Sequence, residues 1–148
     1  MAKDHNLKEM SSEISVAETI APLVYSATVT GSVVDLTGYG SATIICHVGT
    51  ITDGDFVFEV QESATSGGSY TAVDSDDLYG TGLTTAALKE PTFASTNDDT
   101  IHTVSYVGNL GFIKVVLTES GGSTGGAIGC VVVRGHAKHN PAGASQLP

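Results

Sequence analysis

The stretch VVVRGHAKHNP, residues 131–141, contains the pattern that most suggests chemistry. His136 and His139 are three residues apart, and His47 and His102 occur earlier in the chain. Zinc sites need three or four converging ligands, and histidines with this spacing share one face of a helix but point to opposite faces of a strand. Because three consecutive valines are typical of a strand, we expect surface histidines at a strand exit, with no metal or other cofactor.

Three acidic loops offer carboxylates that could bind calcium, namely Asp53-Gly54-Asp55, the loop at 74–77 and Asp98-Asp99. None of them has the ligand spacing of an EF-hand loop, which places glycine at the sixth position and glutamate at the twelfth. Turn chemistry alone explains Asp53-Gly54. A cation in one of these loops is the less favoured interpretation.

The sequence contains no pattern that pairs a nucleophile with a base. There is no G-x-S-x-G motif, no Cys–His pairing and no spaced pair of carboxylates with a reason for a shifted pKa. We therefore expect a protein that is not an enzyme. A carbohydrate-binding module remains an alternative, although tryptophan is absent and the nine Phe and Tyr residues mostly occupy core-like positions.

The two cysteines, Cys46 and Cys130, each lie inside an apolar run. A free cysteine in such a run behaves as a small buried hydrophobic residue. Their separation matches neither a redox pair nor a zinc signature. Buried free thiols are the preferred interpretation, and a disulfide is the alternative.

The charge of the chain restricts the classes of partner. Sixteen acids against six Lys or Arg give a formal net charge of −10 over 148 residues. Such a chain repels phosphates, which argues against nucleic-acid binding. No apolar run reaches the roughly 18 residues of a membrane span, and the N-terminus lacks the apolar core of a signal peptide. We expect a protein that is made in a cytoplasm and does not contact membranes.

Alternating apolar residues predict strands that could position these side chains. A strand is predicted from Leu23 to Thr30, and an extended segment at 33–36 follows it. Asp53-Gly54 between two alternating runs predicts a type I′ hairpin. The predicted inward faces of the strands on its two sides are Ala42, Ile44, Cys46 and Val48, and then Phe56, Phe58 and Val60.

The second half of the chain continues the pattern. A turn at 66–69 precedes a short strand at 70–73, and 74–97 is expected to be a long connection with an extended piece at Leu83–Leu88. Strands are predicted at 101–107, 112–118 and 127–134, with these residues facing inward: Ile113, Val115, Leu117, Ile128, Cys130 and Val132.

About seven or eight strands with no amphipathic helix indicate an all-β fold. We predict an antiparallel β-sandwich with jelly-roll or Greek-key topology. The sandwich is expected to span 23–138, with an extended N-terminal arm at 1–22 and a C-terminal tail at 139–148.

Four segments resemble small structural proteins of tailed bacteriophages, which are regarded as capsid decoration or cement proteins. They are VVDLTGYGSAT at 33–43, FEVQES at 58–63 with GGSYTAV at 67–73, YVGNLGFIKVVLT at 106–118 and GHAKHNP at 135–141. The resemblance covers residues 33–141. Where that group tends to have basic and aromatic residues, this chain has NLGF at 109–112, which leaves Lys114 as the cation of the segment.

The resemblance implies a virion protein on the capsid surface that binds the major capsid protein, as a homo-oligomer on the capsid. The predicted capsid contacts are the N-terminal arm and five side chains: Arg134, His136, Lys138, His139 and Lys114. A head–tail connector or tail-associated protein is one alternative. A carbohydrate-binding β-sandwich used for adhesion is the other.

Overall fold

The computed structural model describes residues 9–139 and residue 142, which form an all-β fold of two antiparallel sheets. Within these residues there are eleven strands. The six long strands are β1 (Ser15–Tyr25), β4 (Tyr39–Ile51), β5 (Asp55–Ser63), β9 (Thr100–Tyr106), β10 (Phe112–Ser120) and β11 (Gly126–Ala137). The five two-residue strands are β2 (Val29–Thr30), β3 (Val34–Asp35), β6 (Thr71–Ala72), β7 (Leu78–Tyr79) and β8 (Thr92–Phe93).

At most connections the chain passes from one sheet to the other. The five-stranded sheet has the order β1-β11-β4-β9-β7. The second sheet has the order β2-β10-β5-β6, with β3 also paired to β10 and β8 also paired to β5. The chain therefore passes from β4 to β5, from β9 to β10 and from β10 to β11 by crossing between sheets.

The core lies between the inner faces of the two sheets. Every residue that the alternating pattern predicts to face inward on β4, β5, β10 and β11 is buried, with a relative exposure of 3% or less. The predicted inward faces are therefore confirmed. β-branched and aromatic side chains dominate these faces, as expected for strands that pack against a second sheet.

The hairpin predicted at Asp53-Gly54 is wrong, because β4 and β5 lie in different sheets. β4 pairs with β11 and β9, whereas β5 pairs with β10, β6 and β8. Gly54 has a positive φ of 82° but Asp53 does not, whereas a type I′ turn needs positive φ at both residues. The apolar faces on the two sides of this turn are thus opposed across the core.

The sheet begins earlier than the predicted boundary at residue 23. Strand β1 starts at Ser15 and pairs with β11, so residues 15–22 of the predicted arm belong to the five-stranded sheet. Two irregularities in its register, between Glu18 and Leu23, disrupt the alternation that would have revealed the strand. Pro22 is tolerated there because β1 is an edge strand. The strand predicted from Leu23 to Thr30 is interrupted after Tyr25.

The connection at 74–97 contains a helix where an extended piece was predicted. Helix α1 spans Ala86–Lys89, and the Thr85 hydroxyl caps it by accepting a hydrogen bond from the Leu88 amide at 3.3 Å. Ala, Leu and Lys favour a helix once a cap is present. Two 3-10 turns flank it at Ser75–Asp77 and Ser95–Asn97. The turn predicted at 66–69 is confirmed, because β6 runs back along β5.

Cys46 and Cys130 are joined by a disulfide with an S–S distance of 2.02 Å, so the interpretation as free thiols is wrong. The two residues are directly opposite each other on β4 and β11 and are fully buried. A separation of 84 residues gave no indication that their strands would be neighbours.

The predicted terminal segments are only partly described. Residues 1–8 of the predicted arm and residues 140, 141 and 143–148 of the predicted tail lie outside the described residues. The Ala142 amide donates a hydrogen bond to the Ser12 carbonyl at 2.7 Å, which places this part of the tail beside the segment that leads into β1. None of the described helices is long and apolar enough to span a membrane.

Candidate contact surfaces

Four of the five predicted contact residues lie at one end of the five-stranded sheet. β11 runs antiparallel to β1 and β4, so its final residues lie beside the first residues of both strands. We call Arg134, His136, Lys138 and His139 the cationic end. Lys114 is on β10, in the other sheet.

Arg134 makes contacts within the molecule on three sides. Its guanidinium donates to the Asp35 carbonyl at 2.9 Å and to the Ser15 hydroxyl at 2.8 Å. Its Cζ atom lies 4.7 Å from the centre of the Tyr39 ring, within the range of a cation–π contact. Arg134 therefore ties β11 to β1 and to the second sheet.

The side chains that follow Arg134 are more accessible. His136, Lys138 and His139 are exposed. The His136 Nδ1 atom lies 2.9 Å from the Ser41 hydroxyl, and its backbone has a positive φ of 50°. Gly40 makes room for this conformation, since a Cβ atom there would lie 3.0 Å from the His136 Cβ. The Lys138 amide donates to the Gly38 carbonyl at 2.8 Å, so the backbone is held while the side chain points to solvent.

Lys114 is separated from the cationic end. Its Nζ atom lies 4.3 Å from the centre of the Tyr70 ring, on the outer face of the second sheet. The structure therefore does not combine Lys114 with the other four predicted contact residues in one patch.

The other histidines do not converge with His136 and His139. His102 faces the core, where its ring contacts Phe58 and Phe93 and its Nε2 atom lies 2.8 Å from the Lys89 carbonyl oxygen. Burial lowers the pKa of His102. His47 is exposed on the outer face of the five-stranded sheet. Among the residues that the structure describes, no three His, Cys, Asp or Glu side chains are grouped to hold a metal.

The carboxylate of Asp53 is occupied by hydrogen bonds from the protein. It accepts from the amides of Ser123, Thr124 and Gly125, at shortest distances of 3.1, 2.9 and 2.6 Å, and from the Ser123 hydroxyl at 3.0 Å. These hydrogen bonds, led by the one from Gly125, lower the pKa of Asp53. This acidic side chain thus holds the loop between β10 and β11.

A polar pocket of about 290 Å³ lies near the cationic end. Its lining includes Tyr39, Ser41, Tyr106 and Asn109. The Tyr106 hydroxyl donates to Glu62 at 2.5 Å and accepts from the Leu110 amide at 3.0 Å. Burial, followed by the bond to Glu62, raises the pKa of Tyr106. Its hydroxyl therefore serves mainly to join the two sheets at this end.

A larger depression, of about 460 Å³, lies on the outer face of the five-stranded sheet. We call it the apolar groove. Small residues of β11 and β4 form its floor, and apolar side chains from four strands form its walls. The floor residues are Gly49, Ala127 and Gly129, and the apolar wall residues are Pro22, Ile45, Ile101 and Val131. The polar side chains of Glu18 and His47 also line the groove.

Sequence reasoning missed the apolar groove, although the sequence contained a signal for it. A strand with one solvated face alternates between apolar and polar residues, whereas a strand covered on both faces is a continuous apolar run. Ile44-Ile45-Cys46 and Cys130-Val131-Val132-Val133 are continuous. Ile45, Val131 and Val133 depart from the alternation and face outward.

No protein-family model matches the chain, and no curated protein has a significantly similar sequence.

Proposed function

We propose that the protein is a non-enzymatic structural protein of a tailed-phage virion. In this role it binds major capsid protein subunits on the outer surface of the shell and stabilises the shell by burying surface between them. The observation that carries the proposal is the cationic end, where the exposed side chains of His136, Lys138 and His139 follow the anchored Arg134 on a protein with a formal net charge of −10.

The order of the strands supports this proposal at the level of the fold. β1 and β11 are neighbours in one sheet, and β2, β3 and β10 are neighbours in the other. Nested pairing of the first strands with the last ones is what a jelly roll requires, and jelly rolls are common in viral capsid domains. We therefore propose jelly-roll wiring for this chain.

The anchoring of β11 supports a contact role for the cationic end. Arg134 fixes the strand to β1 and β3, and the Lys138 amide is bonded to Gly38. The exposed side chains of His136, Lys138 and His139 are therefore presented on a well-held backbone, which lowers the entropy lost on binding. Acidic side chains of a capsid protein are the complementary partner.

Binding to capsids that lack this protein tests the proposal. We expect the triple variant His136→Ala, Lys138→Ala, His139→Ala to bind more weakly, by up to about fivefold for each ion pair removed. Lys89→Ala is a single-cation control away from the cationic end. Because it also removes the hydrogen bond from the Lys89 Nζ atom to the Ser75 carbonyl, circular dichroism checks that this variant folds. Unchanged occupancy and heat resistance of particles carrying the triple variant would contradict the proposal.

Counting copies per particle separates the proposed role from a connector or tail role. A decoration protein follows the capsid lattice and should be present in hundreds of copies, whereas a ring at a portal has about six or twelve. Quantitative mass spectrometry against the major capsid protein gives this ratio. A count near the ring value would rule out decoration.

A further inference from the structure

We propose that the apolar groove is a contact surface for a second copy of this chain, related to the first by a two-fold axis. The groove is on the outer face of the five-stranded sheet, away from the core, and the cationic end does not line it. The inference concerns the isolated protein and does not rest on the proposed capsid function.

The distribution of charge favours this face for self-association. The chain carries a net charge of −10, so two copies repel each other over most of their surfaces. The outward-facing residues of β11, β4 and β9 include no acid within these described strands. By contrast, β5 places Asp55 and Glu59 on the outer face of the other sheet. The acids that border the groove face lie at its margins, namely Glu18 of β1, which lines the groove, and Asp99, whose amide donates to the Gly49 carbonyl.

One row of the face combines a hollow with a ridge. Gly129 of β11 is the low position of this row. His47 of β4 and Ile101 of β9 are its raised positions. Ile101 is 63% exposed although it is a large apolar residue. A surface with both a hollow and a ridge is self-complementary when a two-fold axis lies between them.

The strand register specifies which residues would meet. Gly129, His47 and Ile101 form one row across β11, β4 and β9. A two-fold axis parallel to the strands, between β11 and β4, places the β4 strand of each copy over β11 of the other. His47 then lies over Gly129 of the second copy, and Ile101 lies over its β1 strand near Pro22.

The same axis keeps Glu18 of one copy away from Glu18 of the second copy. Glu18 is in one row with Val131, Ile45 and Thr103. Under the proposed symmetry β1 faces β9, so Glu18 of each copy meets Thr103 of the other. A carboxylate facing a hydroxyl is a favourable arrangement, whereas two facing carboxylates would oppose association.

The size of the face indicates a weak dimer. Four strands are about 19 Å wide and seven residues of β11 are about 24 Å long, so the contact buries about 900 Å² in total. Interfaces of this size are typical of transient association. We therefore expect a reversible dimer whose population depends on protein concentration.

Sedimentation equilibrium of the full chain over about a hundredfold range of concentration tests the proposal. The wild type should pass reversibly from monomer to dimer. Ile101→Glu should weaken the dimer at least tenfold, since it adds an acid to the buried ridge. Val57→Glu is the matched control, because Val57 is 43% exposed on the outer face of the other sheet and its substitution should leave dimerisation unchanged. Circular dichroism checks that both variants fold.

A charge introduced at Thr103 tests the geometry. Thr103→Lys should strengthen the dimer about two- to fivefold by pairing with Glu18 of the second copy, and adding Glu18→Gln should cancel the gain. Val57→Lys makes the same change in net charge on the other sheet and should not reproduce the gain.

Several results would overturn the proposal. They are a wild type that is monomeric at all concentrations, a dimer that withstands Ile101→Glu, and equal effects of Ile101→Glu and Val57→Glu. A monomer whose binding to capsids is lost in Ile101→Glu would assign the groove to the capsid protein instead. Because the dimer is measured without capsids, its failure and the failure of the decoration role are distinguishable.

Discussion

Single residues in this protein act mainly by fastening one segment to another. Asp53 illustrates how a local motif can mislead, since Asp-Gly predicted a hairpin turn and the carboxylate instead accepts hydrogen bonds from Ser123, Thr124 and Gly125. The local sequence around Asp53 does not indicate a hydrogen-bond partner such as Ser123, which is 70 residues away. The basic residues of the cationic end could be recognised in the sequence, but the internal role of Arg134 could not, because it depends on Ser15 and Asp35 in other strands.

We predict that Asp53→Asn lowers stability at neutral pH and that its effect disappears in acid. The folded pKa of Asp53 is lowered, so its stabilising contribution is complete above the ordinary carboxyl pKa of about 3.9 and is lost as pH falls through the folded value. Thermal unfolding of wild type and variant at pH 7 and at pH 2–3 measures the difference. Asp55→Asn, at an exposed acid nearby, is the control. A constant difference across this range would contradict the prediction.

The strands were predicted well where alternation was regular and poorly where it was not. β4, β5, β9, β10 and β11 were located from their sequences, and the inward faces predicted for β4, β5, β10 and β11 are confirmed. β1 was recognised only at its end because its register irregularities break the period of two. Pairing between strands was harder to predict, because alternation fixes which face is buried but not which strand lies alongside.

Thr19 joins β1 to the second sheet, and we predict that Thr19→Val costs about 1–3 kcal/mol of unfolding free energy. Its hydroxyl is buried, accepts from the Val115 amide at 3.1 Å and donates to the Ser32 carbonyl at 3.0 Å. Valine has a similar size but leaves the Val115 amide without this partner. Urea denaturation measures the change in the free energy of unfolding. Thr118→Val, at an exposed position of β10, should have little effect, and equal costs at the two sites would argue against this role of Thr19.

At the scale of the whole molecule, the alternating runs and the lack of an amphipathic helix predicted an all-β fold, but the apolar groove and the disulfide were not predicted. Both depend on β11 lying between β1 and β4, an arrangement set by long-range pairing. The groove face combines Pro22, Ile45, Ile101 and Val131 from four strands, so no single segment of the sequence contains it.

We predict that reduction of the Cys46–Cys130 disulfide lowers the unfolding free energy by about 2–4 kcal/mol, because the bond closes a long loop in the unfolded chain. Urea denaturation with and without reductant measures this difference in the free energy of unfolding. The double variant Cys46→Ala, Cys130→Ala should not respond to reductant. Two reactive thiols in the unreduced, denatured wild type would contradict the prediction.

The interior position of β11 in its sheet also bears on how the protein folds during synthesis. Its five-stranded sheet needs β11 between β1 and β4, yet β11 is the last strand of the described chain. When a nascent chain has emerged from the ribosome up to the end of β10, β1 and β4 are present but the strand that pairs with both of them is not. Folding of this sheet during translation must therefore wait for residues 126–137. A truncation before Gly126 removes an interior strand of the sheet, the one that pairs with both β1 and β4.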